Sequence, residues 1–302
     1  LYGRDIALIS STGYYNVYNP NLNTYKSRSY YQSFRGIYSI SEYLKHSVGY
    51  SIKYDTLNIL DPDEFLLTNP IVFEQEGNFT TSSIYHALTY DKRDNRGMPS
   101  SGYLLQFSQS FAGIGGNVNY LSNELLAEQY FTTFGVDSLV LGIKLKGQII
   151  RGWGGKDVNI KDRLSLGGGN GLRGFDFNGV GPKFLYFSIN DVEDRTSNYG
   201  GLNSFVGNIE YRFPNFLPEE FGFTTFIFYD FGTVFGTEAL KRQDFEGFFV
   251  IEDSKKIRSS IGAGISWRSP IGIIGISYAH PLTYIESDER KRFFLNIGGF
   301  TL

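Results

Sequence analysis

Hydrophobic and polar residues alternate along most of this chain with a period of two. In residues 137–150, for example, Leu139 and Leu141 belong to an apolar series, while Lys144 and Lys146 fall on the other face. Strict alternation is typical of a β-strand with one buried face, whereas an amphipathic helix repeats every 3.6 residues. Two lysines on one face of an apolar strand require water beside them, so we expect that face to line a wet interior.

The same division recurs in other segments. Residues 46–54 place valine, isoleucine and tyrosine opposite glycine and serine, and residues 259–269 place isoleucine and tryptophan opposite glycine and serine. The polar face of a soluble β-sandwich faces solvent and usually carries charged residues and threonine instead of serial glycine and serine. We therefore interpret the apolar face as the one that contacts lipid. The residues assigned to it include Leu139, Leu141, Ile143, Ile265 and Trp267.

About twelve segments show this pattern. Most reach the roughly 9 to 11 residues that a tilted strand needs to cross a bilayer. Tight turns alternate with long loops along the chain, as in bacterial outer-membrane barrels, whose periplasmic turns are short and extracellular loops long. The sequence therefore predicts an all-β, transmembrane antiparallel β-barrel with a long loop at 153–201 folded into its lumen. The predicted strands are 4–15, 26–39, 43–58, 80–92, 102–113, 117–132, 138–152, 202–213, 222–235, 257–268, 272–281 and 291–301.

The composition favours strands over helices. Aromatic residues make up 17% of the 302 residues, and 36 glycines accompany nine prolines and one methionine. Aromatic residues suit a pleated sheet, and glycine lowers helix stability. No apolar run approaches the roughly 18 to 20 residues of a membrane-spanning helix. The mean hydropathy of −0.21 does not exclude a membrane protein, because a transmembrane barrel hides its apolar residues at alternate positions.

Charge and cysteine content exclude several classes of function. With 28 lysine and arginine residues against 31 aspartate and glutamate residues, the net charge of −3 gives no basic field for nucleic acid. The absence of cysteine excludes disulfides and thiolate metal sites. His46, His86 and His280 are far apart in the sequence, and we interpret them as ordinary strand or interfacial residues. No cofactor and no metal site are predicted.

A glycine-rich strip, residues 167–183, contains one conspicuous arginine, Arg173. Leu172, Phe175 and Phe177 surround it in a segment whose glycines give the backbone little intrinsic shape. We expect these apolar side chains to pack around the arginine. A strip of this composition then needs the rest of the barrel to hold it in place.

Two carboxylates are candidates for holding Arg173. Alternation puts Ile209 and Tyr229 on the apolar faces of their strands, which turns the neighbouring Glu210 and Asp230 toward the lumen. A guanidinium can bind carboxylates through parallel hydrogen bonds. We therefore predict that Asp230 and Glu210 clasp Arg173; the alternative is a solvated loop arginine.

Enzymatic and nucleotide-binding interpretations have less support. Paired carboxylates act as acid and base in glycosidases, but no substrate-shaped motif accompanies this pair. A serine hydrolase would need a G-x-S-x-G elbow, which the sequence lacks. The run GGGNG lacks the lysine and the serine or threonine of a phosphate-binding loop. We therefore expect a protein that is not an enzyme and has no catalytic residues.

The strip carries a motif of a known family. The sequence LRGF resembles the V/I/L-R-G-F/Y motif that BamA-type outer-membrane assembly proteins carry on a long barrel loop, and NGVGPK after it is similar to the family's continuation. Further similarities lie in YDKRDNRGMPSSGY, IEYRFP, YDFGTVFG and the last hairpin, so the resemblance covers essentially the whole chain. The motif residues are Leu172, Arg173, Gly174, Phe175, Gly179, Gly181 and Pro182.

This resemblance implies a larger barrel and a longer protein. Barrels of the family have sixteen strands, and matching from the C-terminus backwards places residue 1 near the fifth. We therefore interpret residues 1–302 as one transmembrane barrel domain. The first strands and the periplasmic POTRA repeats are expected upstream. The implied location is the outer membrane of a Gram-negative bacterium.

The resemblance also implies a function, the insertion of other β-barrel proteins through a lateral seam between the first and last strands. An incoming strand would add to the exposed edge by backbone hydrogen bonding. Implied partners are unfolded β-barrel substrates, outer-membrane lipids and periplasmic lipoproteins. Gly298 and Gly299 would either weaken the last strand, because glycine offers no cross-strand side chain, or allow close packing under a loop. The seam residues are Phe293, Phe294, Leu295, Asn296, Ile297, Gly298, Gly299 and Phe300.

Two other functions remain open. One is a polypeptide-translocating pore or a TamA-like assembly factor of the same superfamily, which the number of upstream POTRA repeats would distinguish: five for the assembly protein, three for the TamA type and two for the secretion pore. The other is a passive porin, whose lumen would stay open instead of being filled by residues 153–201.

Overall fold

The computed structural model describes residues 6–18, 25–59, 75–169, 171–186, 195–214, 221–237, 249–270 and 272–297. These residues form two antiparallel sheets and one short 3-10 helix, Ile160–Asp162. The strands are β1 (Ile6–Tyr18), β2 (Tyr25–Ser39), β3 (Leu44–Ile59), β4 (Gly77–Asp91), β5 (Gly102–Gly116), β6 (Tyr120–Thr133), β7 (Val136–Gly152), β8 (Lys183–Tyr186), β9 (Arg195–Asn198), β10 (Asn203–Phe213), β11 (Phe223–Phe235), β12 (Phe249–Glu252), β13 (Arg258–Ser269), β14 (Gly272–Thr283) and β15 (Phe293–Ile297).

The main sheet contains twelve strands in the order β1-β2-β3-β4-β5-β6-β7-β10-β11-β13-β14-β15. Every neighbouring pair is antiparallel. Each of the twelve predicted strands overlaps one strand of this sheet, so the predicted all-β antiparallel fold is confirmed. Among the described residues, no helix has the length and the apolar character needed to cross a membrane.

The sequence prediction missed a second sheet of three strands, in the order β12-β8-β9. Each of these strands has four residues and lies in a region predicted only as a long loop. Four residues are too few to display a convincing period of two, and the partner of β8 in β12 is distant in the sequence. This sheet gives part of the loop after β7 its shape.

The two faces of the main sheet differ as predicted. On β13, Ile261, Ile265 and Trp267 are exposed on the outer face, while Ser260 and Ser266 are buried on the inner face. Serial glycine on the inner face has a further reason. A Cβ on Gly262 would lie 2.3 Å from the ring of Phe228, and one on Gly264 would lie 2.4 Å from the ring of Phe226. The glycines of β13 thus make room for two aromatic rings of β11.

The core lies on the inner face of the main sheet, and the loop between β7 and β10 supplies many of its side chains. One cluster joins Val158 and Leu164 of the loop to Ile150, Leu202 and Val234 on or beside the strands. A second cluster, formed by Leu172, Phe175 and Val180, lies within the strip itself. The long loop therefore packs against the inner wall instead of extending into solvent.

The connections between strands follow the predicted asymmetry in part. The turn at 134–135 and the short connection between Ser269 and Gly272 lie at one end of the sheet, and the long loop before β10 lies at the other. The connections 92–101 and 214–222 are long although they lie at the short-turn end, and the connection 117–119 is short although it lies at the long-loop end. Within the described residues, β1 pairs only with β2 and β15 only with β14.

Candidate functional site

The guanidinium of Arg173 lies between the two inner-wall carboxylates that alternation predicts. Its Nε donates to Asp230 Oδ2 at 2.7 Å and its Nη2 donates to Asp230 Oδ1 at 2.8 Å. Its Nη1 donates to Glu210 Oε2 at 3.1 Å. Glu210 and Asp230 are both fully buried, at 0% exposure. The arginine therefore holds β10 and β11 through one two-pronged contact and one single contact.

The backbone of the motif is fixed by the same wall. The backbone N–H of Arg173 donates to Asp230 Oδ2 at 3.1 Å, and the hydroxyl of Ser260 donates to the carbonyl of Arg173. Gly174 follows with a φ of +96°, a conformation that other residues rarely adopt, and a Cβ there would lie 2.8 Å from Ser260 Cβ. The arginine is thus followed by glycine because the chain turns away directly against β13.

An aromatic ring completes the site. The guanidinium carbon of Arg173 lies 3.4 Å from the ring centroid of Phe228, which is the ring that Gly262 accommodates. Burial alone lowers the pKa of Arg173, but the charges and hydrogen bonds of Asp230 and Glu210 raise it above the ordinary value. The guanidinium remains charged beside both carboxylates, and Glu210 has a second, longer ion pair in which its Oε1 lies 3.8 Å from Arg212 Nε.

The apolar residues near Arg173 differ in how deeply their side chains are buried. Leu172, Phe175 and Val180 are fully buried and form one cluster, as expected for the first two. The prediction for Phe177 is wrong, since this side chain is 75% exposed. Asp176 and Phe177 lie in a turn that the N–H of Gly179 closes by donating to the carbonyl of Asp176 at 2.8 Å, and this turn directs the ring outward.

The remaining motif residues and the described seam residues lie close to the same strip. The carbonyl of Pro182 accepts the N–H of Tyr199 at 2.9 Å, and Gly181 adopts a φ of +145°. Asn296 of β15 donates from Nδ2 to the carbonyl of Gly169 at 3.4 Å. The structure therefore brings the motif strip and the last described strand together. Gly298, Gly299 and Phe300 lie outside the described residues; the remaining seam residues, Phe293, Phe294, Leu295, Asn296 and Ile297, form β15.

A second group of charges, which sequence reasoning missed, holds the first part of the loop against the inner face of β2 and β3. These strands are far from β10 and β11 in the strand order. Lys161 donates to Asp55 of β3 and, at 2.6 Å, to Ser29 of β2. Lys53 Nζ lies 3.0 Å from Asp162 Oδ1 and 3.1 Å from Asp55 Oδ2. The long loop is thus fixed by ion pairs to two separate parts of the inner wall. The polar-face position of Lys53 was visible in the sequence, but its partner 109 residues away was not.

Replacing Asp55 with asparagine is expected to release the first part of the loop. Asp55 is buried at 2% exposure and faces both Lys53 and Lys161, so its neutralisation leaves two ammonium groups with one remaining carboxylate, Asp162. Amide hydrogen exchange of residues 156–166 should become at least about tenfold faster, which corresponds to about 1.4 kcal/mol.

Glu124→Gln is the matched control for this prediction. Glu124 also lies on the inner wall, but its ion pair at 3.0 Å is with Lys146 of the neighbouring strand β7, and both side chains are partly exposed. Exposed pairs contribute little stability. Equal exchange in the Asp55→Asn variant and the parent protein would show that this group of charges does not hold the loop.

Charged side chains continue from the clasp toward the short-turn end. Arg212 Nε lies 3.8 Å from Glu210 Oε1, and Arg212 Nη2 donates to the carbonyl of Pro99 in the connection 92–101 at 2.9 Å. In the same connection, Arg93 pairs with Glu128 of β6 at 2.9 Å. The connection 92–101 is therefore held against the inner wall by two arginine side chains.

Two histidines that are distant in sequence lie side by side on the outer face. The rings of His46 and His86 are 5.7 Å apart, and Tyr38 Oη is 2.7 Å from His46 Nδ1. In the part of the chain that the structure describes, no group of three or more histidine and carboxylate side chains is arranged to hold a metal ion. Both histidines are strand residues, as predicted, and aromatic rings surround them.

The sequence of this chain is similar to known proteins of one superfamily. The model of the Omp85 superfamily domain matches residues 5–300. The outer membrane protein assembly factor BamA of Neorickettsia risticii is 31% identical over 255 residues, which cover 84% of this chain and 31% of that protein. The sorting and assembly machinery component 50 homolog A of Xenopus laevis is 35% identical over 113 residues, which cover 36% of this chain and 23% of that protein.

A solved structure has the same fold. The crystal structure of BamA from Haemophilus ducreyi lacking POTRA domains 1–3 superposes with a TM-score of 0.79 at 22% sequence identity, over 97% of this chain and 59% of that chain. The chain thus spans about a third of the length of the curated bacterial relatives that it matches, 31% and 35% for two of them.

Proposed function

The chain belongs to the Omp85 superfamily and lies in the bacterial outer membrane, and from this premise we propose that it is the barrel region of a BamA-type assembly factor. Its proposed activity is the insertion and folding of other β-barrel proteins in that membrane. The proposed partners are unfolded β-barrel substrates, outer-membrane lipids and periplasmic lipoproteins. It is proposed to act without a cofactor and without enzymatic chemistry.

The observation that carries this proposal is the clasp of Arg173. Three side-chain hydrogen bonds to Asp230 and Glu210 hold the strip against the inner wall, and ion pairs of Lys53 and Lys161 hold the preceding part of the loop elsewhere on that wall. A passive porin needs an open lumen. A loop bound at two places inside the sheet therefore supports an assembly role over passive diffusion.

The proposed mechanism uses the edge beside β15. Within the described residues, β15 is the last strand of the main sheet and pairs only with β14, so its other edge has no strand beside it there. The free edge of a strand presents backbone N–H and C=O groups with which another strand can pair. An incoming substrate strand would add to the edge exposed by opening, with backbone hydrogen bonds as the driving interaction.

Reconstitution tests the proposed activity. The full-length protein in liposomes should accelerate the folding of an unfolded β-barrel substrate beyond the rate in empty liposomes and in liposomes that contain a porin. The same liposomes should show low conductance, because the loop occupies the lumen. Unaccelerated folding would contradict the assembly function, and a large, steady open state would favour a pore instead.

Site-specific crosslinking tests the seam. A photoreactive residue at Leu295, 64% exposed on β15, should capture the substrate during insertion. The control position is Leu125 on β6, which is also exposed on the outer face but lies far from β15 in the strand order. Equal capture at both positions would contradict insertion at the β15 edge.

A further inference from the structure

The connection 284–292 joins the motif strip to the seam strand. It leads from β14 directly into β15, and its backbone is hydrogen bonded to the strip at three points. The N–H of Asp176 donates to the carbonyl of Glu289 at 2.8 Å, the N–H of Glu289 donates to the carbonyl of Gly179 at 3.0 Å, and the N–H of Lys291 donates to the carbonyl of Gly174 at 3.1 Å. Phe175 and Arg290 also form an isolated antiparallel bridge.

Buried charges reinforce both ends of this contact. Lys183, which closes the strip and is 0% exposed, donates from Nζ to Glu289 Oε1 at 2.7 Å. Arg258 of β13 donates from Nε to Asp288 Oδ2 at 3.0 Å, and the N–H of Ile285 donates to the same oxygen at 2.8 Å. The connection is therefore fixed to the wall as well as to the strip. Its position, and with it the start of β15, depends on where the strip lies.

We propose that the connection 284–292 is a clamp that fixes the start of β15 to the motif strip, and that Glu289 is its positioning residue. This proposal rests on the proposed assembly function. The clamp adds three backbone hydrogen bonds to the strip immediately before β15 begins. The seam strand is then free to separate from β14 only when the clamp opens. Whether the strip is held in place thereby determines whether β15 can separate from β14.

Gly179→Ala is a variant that opens the clamp and leaves the clasp of Arg173 untouched. A Cβ at Gly179 would lie 2.6 Å from the carbonyl oxygen of Glu289 and 2.9 Å from that of Asp176, so the Glu289 carbonyl must move and its hydrogen bond with the N–H of Asp176 must weaken. Gly171→Ala is the matched control. Its Cβ would lie 3.1 Å from the carbonyl oxygen of Gly167, which perturbs the strip internally without reaching the connection.

The distance between the strip and β15 reports directly on the clamp. This chain has no cysteine, so spin labels can be introduced at the exposed Phe177 and Leu295 of the full-length protein in liposomes, after any cysteines elsewhere are replaced. Double electron–electron resonance spectroscopy should give a narrow distribution of the distance between the two labels in the parent protein and in Gly171→Ala. In Gly179→Ala the distribution should become at least about twofold wider. A distribution as narrow as that of the parent, or equal broadening in both variants, would overturn the clamp.

A second variant keeps the test decisive if Gly179→Ala does not fold. Lys183→Met removes the side-chain part of the clamp and leaves Glu289, whose side chain is 35% exposed, able to reach water. It should broaden the same distribution to a smaller extent, and an unchanged distribution would count against the clamp. The distance measurement needs no substrate, so a protein with a working clamp and no assembly activity would contradict the proposed function alone.

Discussion

Replacing Arg173 with alanine is expected to loosen the motif strip and to remove most of the assembly activity. The change leaves Asp230 and Glu210, both fully buried, without the cation that they share. Removing one partner of a buried ion pair costs about 3 to 5 kcal/mol. Because the strip is also joined to the connection before β15, the loss should reach the seam. The measurement is the rate of substrate folding in liposomes, together with protease cleavage within residues 167–183.

Graded variants of the clasp should follow its geometry. Arg173→Lys should restore only part of the activity, since an ammonium group lacks the planar fork that binds both oxygens of Asp230. Asp230→Asn should resemble Arg173→Ala more than Glu210→Gln does. Asp230 accepts three hydrogen bonds from Arg173, counting its backbone N–H, whereas Glu210 accepts one.

The control for this series is Lys146→Gln. Lys146 is another inner-wall cation, but it is 37% exposed at its side chain and pairs with the partly exposed Glu124. Its loss should leave folding and activity close to those of the parent. If Arg173→Ala behaved like Lys146→Gln, the clasp would have no role in holding the strip.

Replacing Leu145 with arginine is expected to destabilise the barrel by about 2 to 4 kcal/mol, because the new charge would face the middle of the bilayer. Leu145 lies next to the midpoint of β7 and is exposed on the outer face. The measurement is unfolding by urea of the full-length protein in lipid, compared with the parent.

The neighbouring position provides the matched control. Lys146→Arg introduces the same side chain one residue further along, where alternation points it to the inner wall beside Glu124. This variant should be nearly as stable as the parent. Similar destabilisation of Leu145→Arg and Lys146→Arg would contradict the assignment of the two faces.

The sequence by itself determined the strands of the main sheet and the direction of their side chains. Successive residues of a strand point to opposite faces, so the pattern around Ile209 and Tyr229 sufficed to turn Glu210 and Asp230 inward. It also placed the arginine beside them, since LRGF lies in the loop that enters between β7 and β10. These predictions needed only local alternation and the order of elements along the chain.

Tertiary structure alone decided the contacts between residues that are far apart in the sequence. The pairing of Lys53 with Asp162, and of Glu289 with the strip, depends on how the loop crosses the interior. The outward turn of Phe177 and the three short strands of the second sheet depend on the same path. A glycine-rich loop has many accessible backbone conformations, and the packed wall selects one of them. Alternation fixes which way a strand residue points, whereas the partner of a loop residue is set by the fold around it.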